Sequence, residues 1–389
     1  MSQGIFHQRM LKRCFINSFA NGLSSCLASR LASGLTRGLC ILALAHAQPA
    51  LAIDGDHRLP DAAMKHDIAT VTALLAEGVD PNARGQFDTP ALLWLARVDE
   101  VEAARKLLQA GADPNLPSPE GVTPLIVAIE NFEFGIANHL LDKGANPHSF
   151  DWWGRTPLYM AIDVRSIETR GQQLNKANKD IALLLAKRLL DAGAYVDAQM
   201  NFHRPGPGGG NGRYSDELLT TGTTPLLRAA VGHDAEAAKL LLSHGASVDL
   251  PNIFGITPLI AVSGIATPRG MLSDGTVFPQ ANIEELVIET LDVLVSAGAN
   301  VNAVITDTTS YSADWPRHAS ISNRQGQTAI FGPGKWGWTK VAQYLVDHGA
   351  KVDVVDFYGK TPMDSAMALA GGEQEETYPE LAAWLGEQR

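Results

Sequence analysis

Histidines, carboxylates and a glycine-rich segment are the parts of this sequence that could carry chemistry. The chain has 11 His, and His203 and His318 lie in segments that no repeating pattern explains. It contains neither the His-Glu-x-x-His pattern of zinc proteases nor the Gly-x-Ser-x-Gly pattern of serine hydrolases. Asp307, Ser310 and Asp314 lack the spacing and the closing Glu of a calcium loop. The sequence therefore predicts no catalytic residue, no metal site and no cofactor.

The glycine-rich segment from Asn201 to Glu217 could suggest a phosphate-binding loop. Its glycines follow neither Gly-x-x-x-x-Gly-Lys-Ser/Thr nor Gly-x-Gly-x-x-Gly, and no strand is predicted before it. We therefore expect a flexible connection rather than a nucleotide site.

The dominant feature of the sequence is a five-residue phrase: Gly-Ala or Gly-Val, usually Asp, Asn or Ser, then Pro or Val, then Asn, Asp or His. It recurs seven times, beginning at Gly78, Gly111, Gly144, Gly193, Gly245, Gly298 and Gly349. The first two intervals are 33 residues, and the later four range from 49 to 53. A second phrase, Thr-Pro or Thr-Ala, keeps register with it at Thr89, Thr123, Thr156, Thr224, Thr257, Thr328 and Thr361. A fixed period near 33 residues predicts a solenoid, and the longer intervals predict inserts.

Each period has the chemistry of two helices and two turns. Thr can cap a helix start, and Pro at the first helical position loses only a donor that has no partner there. A second apolar helix follows, and the Gly of the phrase ends it because Gly tolerates the left-handed conformation. One unit cannot bury its own apolar face, so neighbouring units must stack.

These phrases resemble ankyrin repeats from about His57 to Gly371, and the stretch from Thr223 to Asp249 is the clearest unit. The resemblance implies an all-α solenoid of about seven to eight helix-turn-helix repeats with β-turn fingers and four inserts. Leu59-Pro60 replaces Thr-Pro in the first unit, which we interpret as an N-terminal cap. Gly332-Pro333-Gly334 predicts a short or kinked helix in the seventh unit.

The register of the phrases places the four inserts. Two fall between paired helices, at about 166–179 and 265–282, and two fall in the fingers between repeats, at about 200–219 and 306–323. The resemblance implies that the fingers line the concave side and that the turns within a helix pair lie at the opposite edge.

The first 52 residues have the composition of a leader. They contain five basic residues, no acidic residue and all three cysteines, and an apolar run precedes Ala50-Leu51-Ala52. This pattern predicts a secretory signal peptide of an exported bacterial protein, periplasmic or secreted. The alternatives are a mitochondrial transit peptide, a lipoprotein signal at Leu23-Ser24-Ser25-Cys26 and a true start at Met10. We therefore divide the chain into a leader (1–52), the solenoid (53–371) and a C-terminal capping helix (372–389).

Large aromatic residues at the finger tips are the strongest functional signal. Trp and Tyr are favoured anchors in protein interfaces. We expect the partner-binding residues to be Phe87, Trp152, Trp153, Tyr214, Phe254, Trp315 and Tyr358. The alternative for the tips is packing on the neighbouring finger or under an insert, which is favoured for Phe254.

The resemblance implies a non-catalytic scaffold that binds a protein partner on the concave finger face. Removing five basic residues from 31 leaves 26 against 42 acidic residues, so the remaining chain carries a net charge of −16. This charge favours a basic or mixed partner surface and disfavours nucleic acid, and we expect a monomer without a membrane span. Two alternatives are a secreted effector and a ligand-binding or enzymatic site built by the inserts from His203, Arg204, Arg213, Tyr214, Trp315 and His318.

Overall fold

The computed structural model describes residues 56–98, 100–166, 168–169, 172–173, 175–201, 220–265, 282–306, 324–367 and 377–388. Residues Gly55–Arg389 form one compact unit. The described helices are α1 (Arg58–Met64), α2 (Ile68–Ala76), α3 (Ala91–Leu95), α4 (Val101–Gln109), α5 (Pro124–Glu130), α6 (Phe134–Asp142), α7 (Pro157–Ser166), α8 (Lys176–Asp191), α9 (Pro225–Val231), α10 (Ala235–Ser243), α11 (Pro258–Val262), α12 (Ile283–Ser296), α13 (Phe331–Trp336), α14 (Thr339–Asp347), α15 (Pro362–Met367) and α16 (Pro379–Glu387).

These helices form eight consecutive pairs, which we number as repeats 1 to 8. Most first helices pack on the first helix of a neighbouring repeat, and most second helices likewise pack on second helices. The apolar core lies between the two layers and includes Leu107, Leu140 and Leu241. The predicted all-α solenoid of seven to eight repeats is therefore confirmed.

Threonine caps start most of the first helices, as predicted. In five of them the Thr side-chain oxygen accepts a hydrogen bond from the backbone N–H three residues later; these are Thr123, Thr156, Thr224, Thr257 and Thr361. The other two threonines of the repeated phrase differ. Thr89 donates its hydroxyl to the Phe87 carbonyl, and α3 begins after Pro90. Thr328 precedes α13 by three residues and does not cap it.

The Gly-Pro-Gly segment of repeat 7 forms a short helix, α13, which ends at a left-handed Gly337. A Cβ atom on Gly332 would lie 2.1 Å from the Ser263 carbonyl oxygen, and one on Gly334 would lie 3.0 Å from the Pro362 carbonyl oxygen. The glycines weaken the helix but let it pack against repeats 6 and 8.

Of the four predicted inserts, the one at about 166–179 lies partly within the described residues. A two-residue antiparallel pair, β1 (Glu168–Thr169) and β2 (Gln172–Gln173), follows α7. Helix α8 then begins inside the predicted insert and has 16 residues, compared with nine in α4. Part of that insert is therefore an extension of the second helix. Residues 202–219, 266–281 and 307–323 lie outside the described part of the chain.

Among the described residues, no helix is both long enough and apolar enough to cross a membrane. The leader (1–52) lies outside the described residues.

Candidate functional site

The fingers, defined as the turns between one repeat's second helix and the next repeat's first helix, carry most of the candidate residues. Three of the fingers have the same hydrogen-bonded turn and are called the Asx fingers. The first residue of each turn, called its head, is Asp151, Asn252 or Asp356. In each, the head side chain accepts hydrogen bonds from the backbone N–H groups two and four residues later, at 2.9–3.1 Å. Asp and Asn suit this turn because a short side chain can satisfy its own backbone. The two tip residues between each head and the finger Gly are thereby held in place.

Backbone hydrogen bonds join each Asx finger to the finger before it. The N–H of the first tip residue donates to a carbonyl of the preceding finger: Trp152 to Glu120 at 2.8 Å, Ile253 to Thr221 at 3.0 Å and Phe357 to Gln325 at 2.8 Å. Because both the turn and its neighbour restrain the backbone, the tips are preorganised, which lowers the entropy cost of binding.

Four of the predicted aromatic residues lie at the surface of the fingers. Phe87 is 67% exposed, Tyr358 62% and Trp152 45%. Trp153 is half-buried, and its ring lies 5.0 Å from the Arg155 guanidinium carbon. Phe87 also has a left-handed backbone, with φ 67°, which costs a non-glycine residue roughly 1–2 kcal/mol. Little packing offsets that cost for so exposed a ring.

The remaining predicted residues do not join this surface. Phe254 is 3% exposed, so it packs in the interior, the alternative that the sequence favoured. Its carbonyl accepts a hydrogen bond from the Thr306 N–H at 3.0 Å, and the returning chain therefore passes directly over this finger. Tyr214 and Trp315 lie outside the described residues, as do all six residues proposed for an insert-built site.

Sequence reasoning missed two exposed apolar tips. Ile253 and Phe357 precede Phe254 and Tyr358, and they are 55% and 64% exposed. The Phe357 ring makes an edge contact with Tyr358 at 5.4 Å. The Asx-apolar-apolar-Gly pattern could have identified them, because the first of two successive tip residues can point outward while the second packs inward.

Charged residues near Trp153 have a structural role. Buried Asp151 pairs with Arg155 at 2.6 Å, and Arg155 also reaches Glu130 at 3.2 Å. Burial raises the pKa of the Asp151 carboxyl, and the charge and hydrogen bonds of Arg155 oppose that rise. The cluster holds the finger base against repeat 3.

A second buried cluster joins repeats 4 and 5. Asp163 on α7 pairs with Arg228 on α9, and both side chains are buried. Arg165 pairs with Asp234 at 2.5 Å and Glu236 at 3.1 Å at the start of α10. These charges neutralise one another across the joint between repeats, which argues for packing rather than chemistry.

Most carboxylates and amides of the repeat phrase also stabilise the stack. Asn82 accepts a hydrogen bond from the Asp113 N–H at 2.7 Å, and Asn115 accepts one from Asn146 at 2.6 Å. Asp249 accepts from the Asn300 N–H at 3.1 Å. Each links one repeat to the next, so the recurrence of Asp and Asn in the phrase follows from the fold.

The described histidines of the repeat phrase also bond within the fold. Ring nitrogens of His244 and His348 lie 2.9 and 2.7 Å from the carbonyls of Leu240 and Tyr344. Burial lowers the pKa of His233 to about 4. Within the described residues, no group of three or more metal-binding side chains occurs.

Comparisons with known proteins find a family match in two stretches of the chain. Residues 59–151 match a model described as three copies of ankyrin repeats, and residues 221–253 match a single ankyrin repeat. The crystal structure of the human ASB11 ankyrin repeat domain resembles this chain with a TM-score of 0.47 and 20% sequence identity, over 75% of this chain and 98% of that chain. No curated protein sequence matches. Residues 59–151 and 221–253 are therefore ankyrin repeats, and the paired helices show that the other described repeats continue the same helical solenoid.

Proposed function

We propose that this chain is a non-catalytic protein-binding module whose partner contacts the concave finger face. The observation that carries the proposal is the set of exposed apolar tips held on hydrogen-bonded turns. Large exposed apolar side chains at such positions mark interaction sites, and aromatic anchors supply much of the energy of protein interfaces. Ankyrin repeats generally mediate protein–protein interaction, which agrees with this assignment.

The assignment of structural roles to the charged residues supports a module without catalysis. The buried ion pairs hold repeats together, and phrase carboxylates such as Asp249 link one repeat to the next. Their charges therefore have partners within the fold. The sequence charge of −16 outside the leader favours a partner with a basic or mixed surface.

Alanine substitution tests the proposed face. Trp152→Ala and Tyr358→Ala should each weaken binding of the native partner by at least about 2 kcal/mol, roughly thirtyfold, where the residue is a hot spot. The melting temperature should stay nearly unchanged because both side chains are exposed. Leu184→Ala is the matched control, since Leu184 is 67% exposed, more than either tip residue, but lies on α8 and not on a finger.

Binding would be measured with the mature protein and a partner captured from its native extract. Tip variants that bind like the Leu184→Ala protein would refute the finger face. A tip variant that lost stability along with binding would assign that residue to packing instead.

We further propose that the protein is exported and acts in the periplasm or outside the cell. The basis is the basic, acid-free leader with its apolar run and small-residue cleavage pattern. N-terminal sequencing of natively expressed protein should find a start near Gln48 or Ile53. A mature chain that retains Met1 or Met10 would refute export.

A further inference from the structure

Backbone hydrogen bonds join successive fingers, and the series stops at the last described finger (residues 356–359). In six described fingers, a tip residue precedes a glycine with a positive φ. In the first five of these, the carbonyl of that tip residue accepts an N–H from the next finger at 2.8–3.0 Å. The donors and acceptors are Trp152 to Glu120, Asn201 to Trp153, Ile253 to Thr221, Thr306 to Phe254 and Phe357 to Gln325. In the last finger, no described residue donates to the Tyr358 carbonyl.

The finger of Phe254 shows what covers such a tip. The Thr306 N–H donates to the Phe254 carbonyl, and the Phe254 side chain is 3% exposed. The Thr306 hydroxyl lies over the finger glycine, since a Cβ atom on Gly255 would be 2.5 Å from that oxygen. Asn201 approaches the finger of Trp153 in the same way, with its N–H on the carbonyl and its side chain against the glycine. A short non-helical segment with a small polar residue therefore closes both fingers.

The last finger has the same turn but, among the described residues, no such cover. Asp356 accepts the N–H groups of Tyr358 and Lys360, as the heads of the other Asx fingers do. The Tyr358 side chain is 62% exposed, and a Cβ atom on Gly359 would meet nothing within 4 Å. An open carbonyl at the edge of a hydrogen-bonded series can accept an N–H from another chain. Because the turn is already fixed, adding such a chain orders little of this protein.

We propose that the last finger binds a short extended segment of the protein partner, which donates one backbone N–H to the Tyr358 carbonyl. The donating residue should be small and polar, as Thr306 and Asn201 are, so that its side chain lies over Gly359. The segment would then cover the Tyr358 ring as the chain at Thr306 covers Phe254. This inference rests on the proposed protein-binding function.

An NMR experiment on one carbonyl tests the proposal. Tyr358-Gly359 is the only Tyr-Gly pair in the sequence, so labelling the full chain with [1-13C]Tyr and [15N]Gly gives a single HNCO peak. The probe is an acetylated and amidated peptide with the sequence of residues 300–306, which ends in the residue that closes the finger of Phe254. Its Thr N–H should bond to the Tyr358 carbonyl and move the 13C resonance downfield. The matched control is the same peptide with that Thr N-methylated, which has no N–H to donate and should leave the peak in place.

The native partner supplies the second arm of the test. Added to the labelled chain, it should move the same peak in the same direction as the peptide does. Gly359→Ala should weaken partner binding about tenfold, because the added methyl group would occupy the place of the partner's polar side chain. Gly349→Ala is the matched control. Gly349 also has a positive φ and open space around it, but it follows α14 and is not a tip glycine.

The outcomes separate this inference from the proposed function. No shift with the peptide, or an equal shift with its N-methylated form, would overturn the open carbonyl as a binding site. A shift that grows with the concentration of the labelled chain alone would indicate a second copy and overturn the partner segment. A partner that leaves the peak in place but binds Trp152→Ala more weakly would overturn this inference and leave the finger face intact. A partner that is indifferent to Trp152→Ala and Tyr358→Ala as well would overturn both.

Discussion

The buried pair of Asp163 and Arg228 allows a sharp test of how neighbouring repeats are joined. Asp163 lies on α7 and Arg228 on α9, with side chains 2% and 0% exposed. Arg228→Met keeps most of the apolar stem and removes the guanidinium. The Asp163 carboxylate then stays buried without this charged partner.

Removing one member of a buried ion pair costs about 3–5 kcal/mol, whereas an exposed pair contributes about 0–1 kcal/mol. Lys187→Met supplies the matched control. Lys187 pairs with Asp191 at 2.6 Å, and both side chains are about half exposed, at 53% and 52%. The expected loss at Arg228 is large against a whole-domain stability of about 5–15 kcal/mol.

Urea unfolding at pH 7, followed by circular dichroism, would measure both variants. Since stability in a solenoid is a sum of repeats and interfaces, Arg228→Met should also make repeats 1–4 and 5–8 unfold in separate steps. The double variant Asp163→Leu/Arg228→Met should recover most of the loss, because neither charge of this pair then remains buried without the other. If Arg228→Met cost no more than Lys187→Met, the argument from burial would be refuted.

Three further predictions concern single residues. Gly154→Ala should destabilise the protein by about 1–3 kcal/mol more than Gly359→Ala in urea unfolding. Both glycines have a positive φ, 79° and 75°, so the backbone strain of the substitution is similar. Of the two, only Gly154 would bring a Cβ atom close to a neighbour, the Asn201 backbone nitrogen at 2.6 Å. Burial lowers the pKa of His233 from 6.5 to about 4, so protonation favours the unfolded chain and stability should fall as the pH drops through that range. His233→Asn should flatten that slope in melts at pH 4 and 7, by at most about 3 kcal/mol. Leu241→Ala should cost about 2–5 kcal/mol in urea unfolding, because Leu241 is fully buried between the layers.

The helices and their order could be predicted because their signals are local. Thr224 caps α9, Pro225 opens it, and Gly245 follows α10 in the left-handed conformation. Each of these effects acts within a few residues, so the sequence alone contains them. Thr328 shows the limit. The helix after Thr328 begins only at Phe331 and contains the Gly-Pro-Gly segment. Gly332 and Gly334 pack closely against repeats 6 and 8, and a local pattern contains no information on these contacts.

The candidate site was less predictable because it depends on contacts between repeats. Phe254 and Tyr358 occupy the same place in their fingers, yet Phe254 is buried and Tyr358 is exposed. This difference in exposure comes from the segment of chain that packs on the finger afterwards. Thr306 returns over Phe254 and takes its carbonyl as an acceptor. No later repeat follows the finger of Tyr358 in that way within the described residues, and a single-residue pattern cannot report such a neighbour.

The same kind of contact recurs at the finger of Trp153. After repeats 4 and 6 the chain returns through Asn201 and Thr306, and both residues donate to the finger before, at Trp153 and Phe254. A Cβ atom on the glycine of either finger, Gly154 or Gly255, would meet the returning nitrogen at 2.6 or 2.8 Å. The segments that contain Asn201 and Thr306 therefore pack against the preceding finger in the same way, each with a backbone N–H to carbonyl hydrogen bond. In both fingers the second tip residue bonds to the returning chain, while the first tip residue, Trp152 or Ile253, is exposed. The exposure of Trp152 and Ile253 is thus linked to how the repeats are joined, which no pattern within one finger could report.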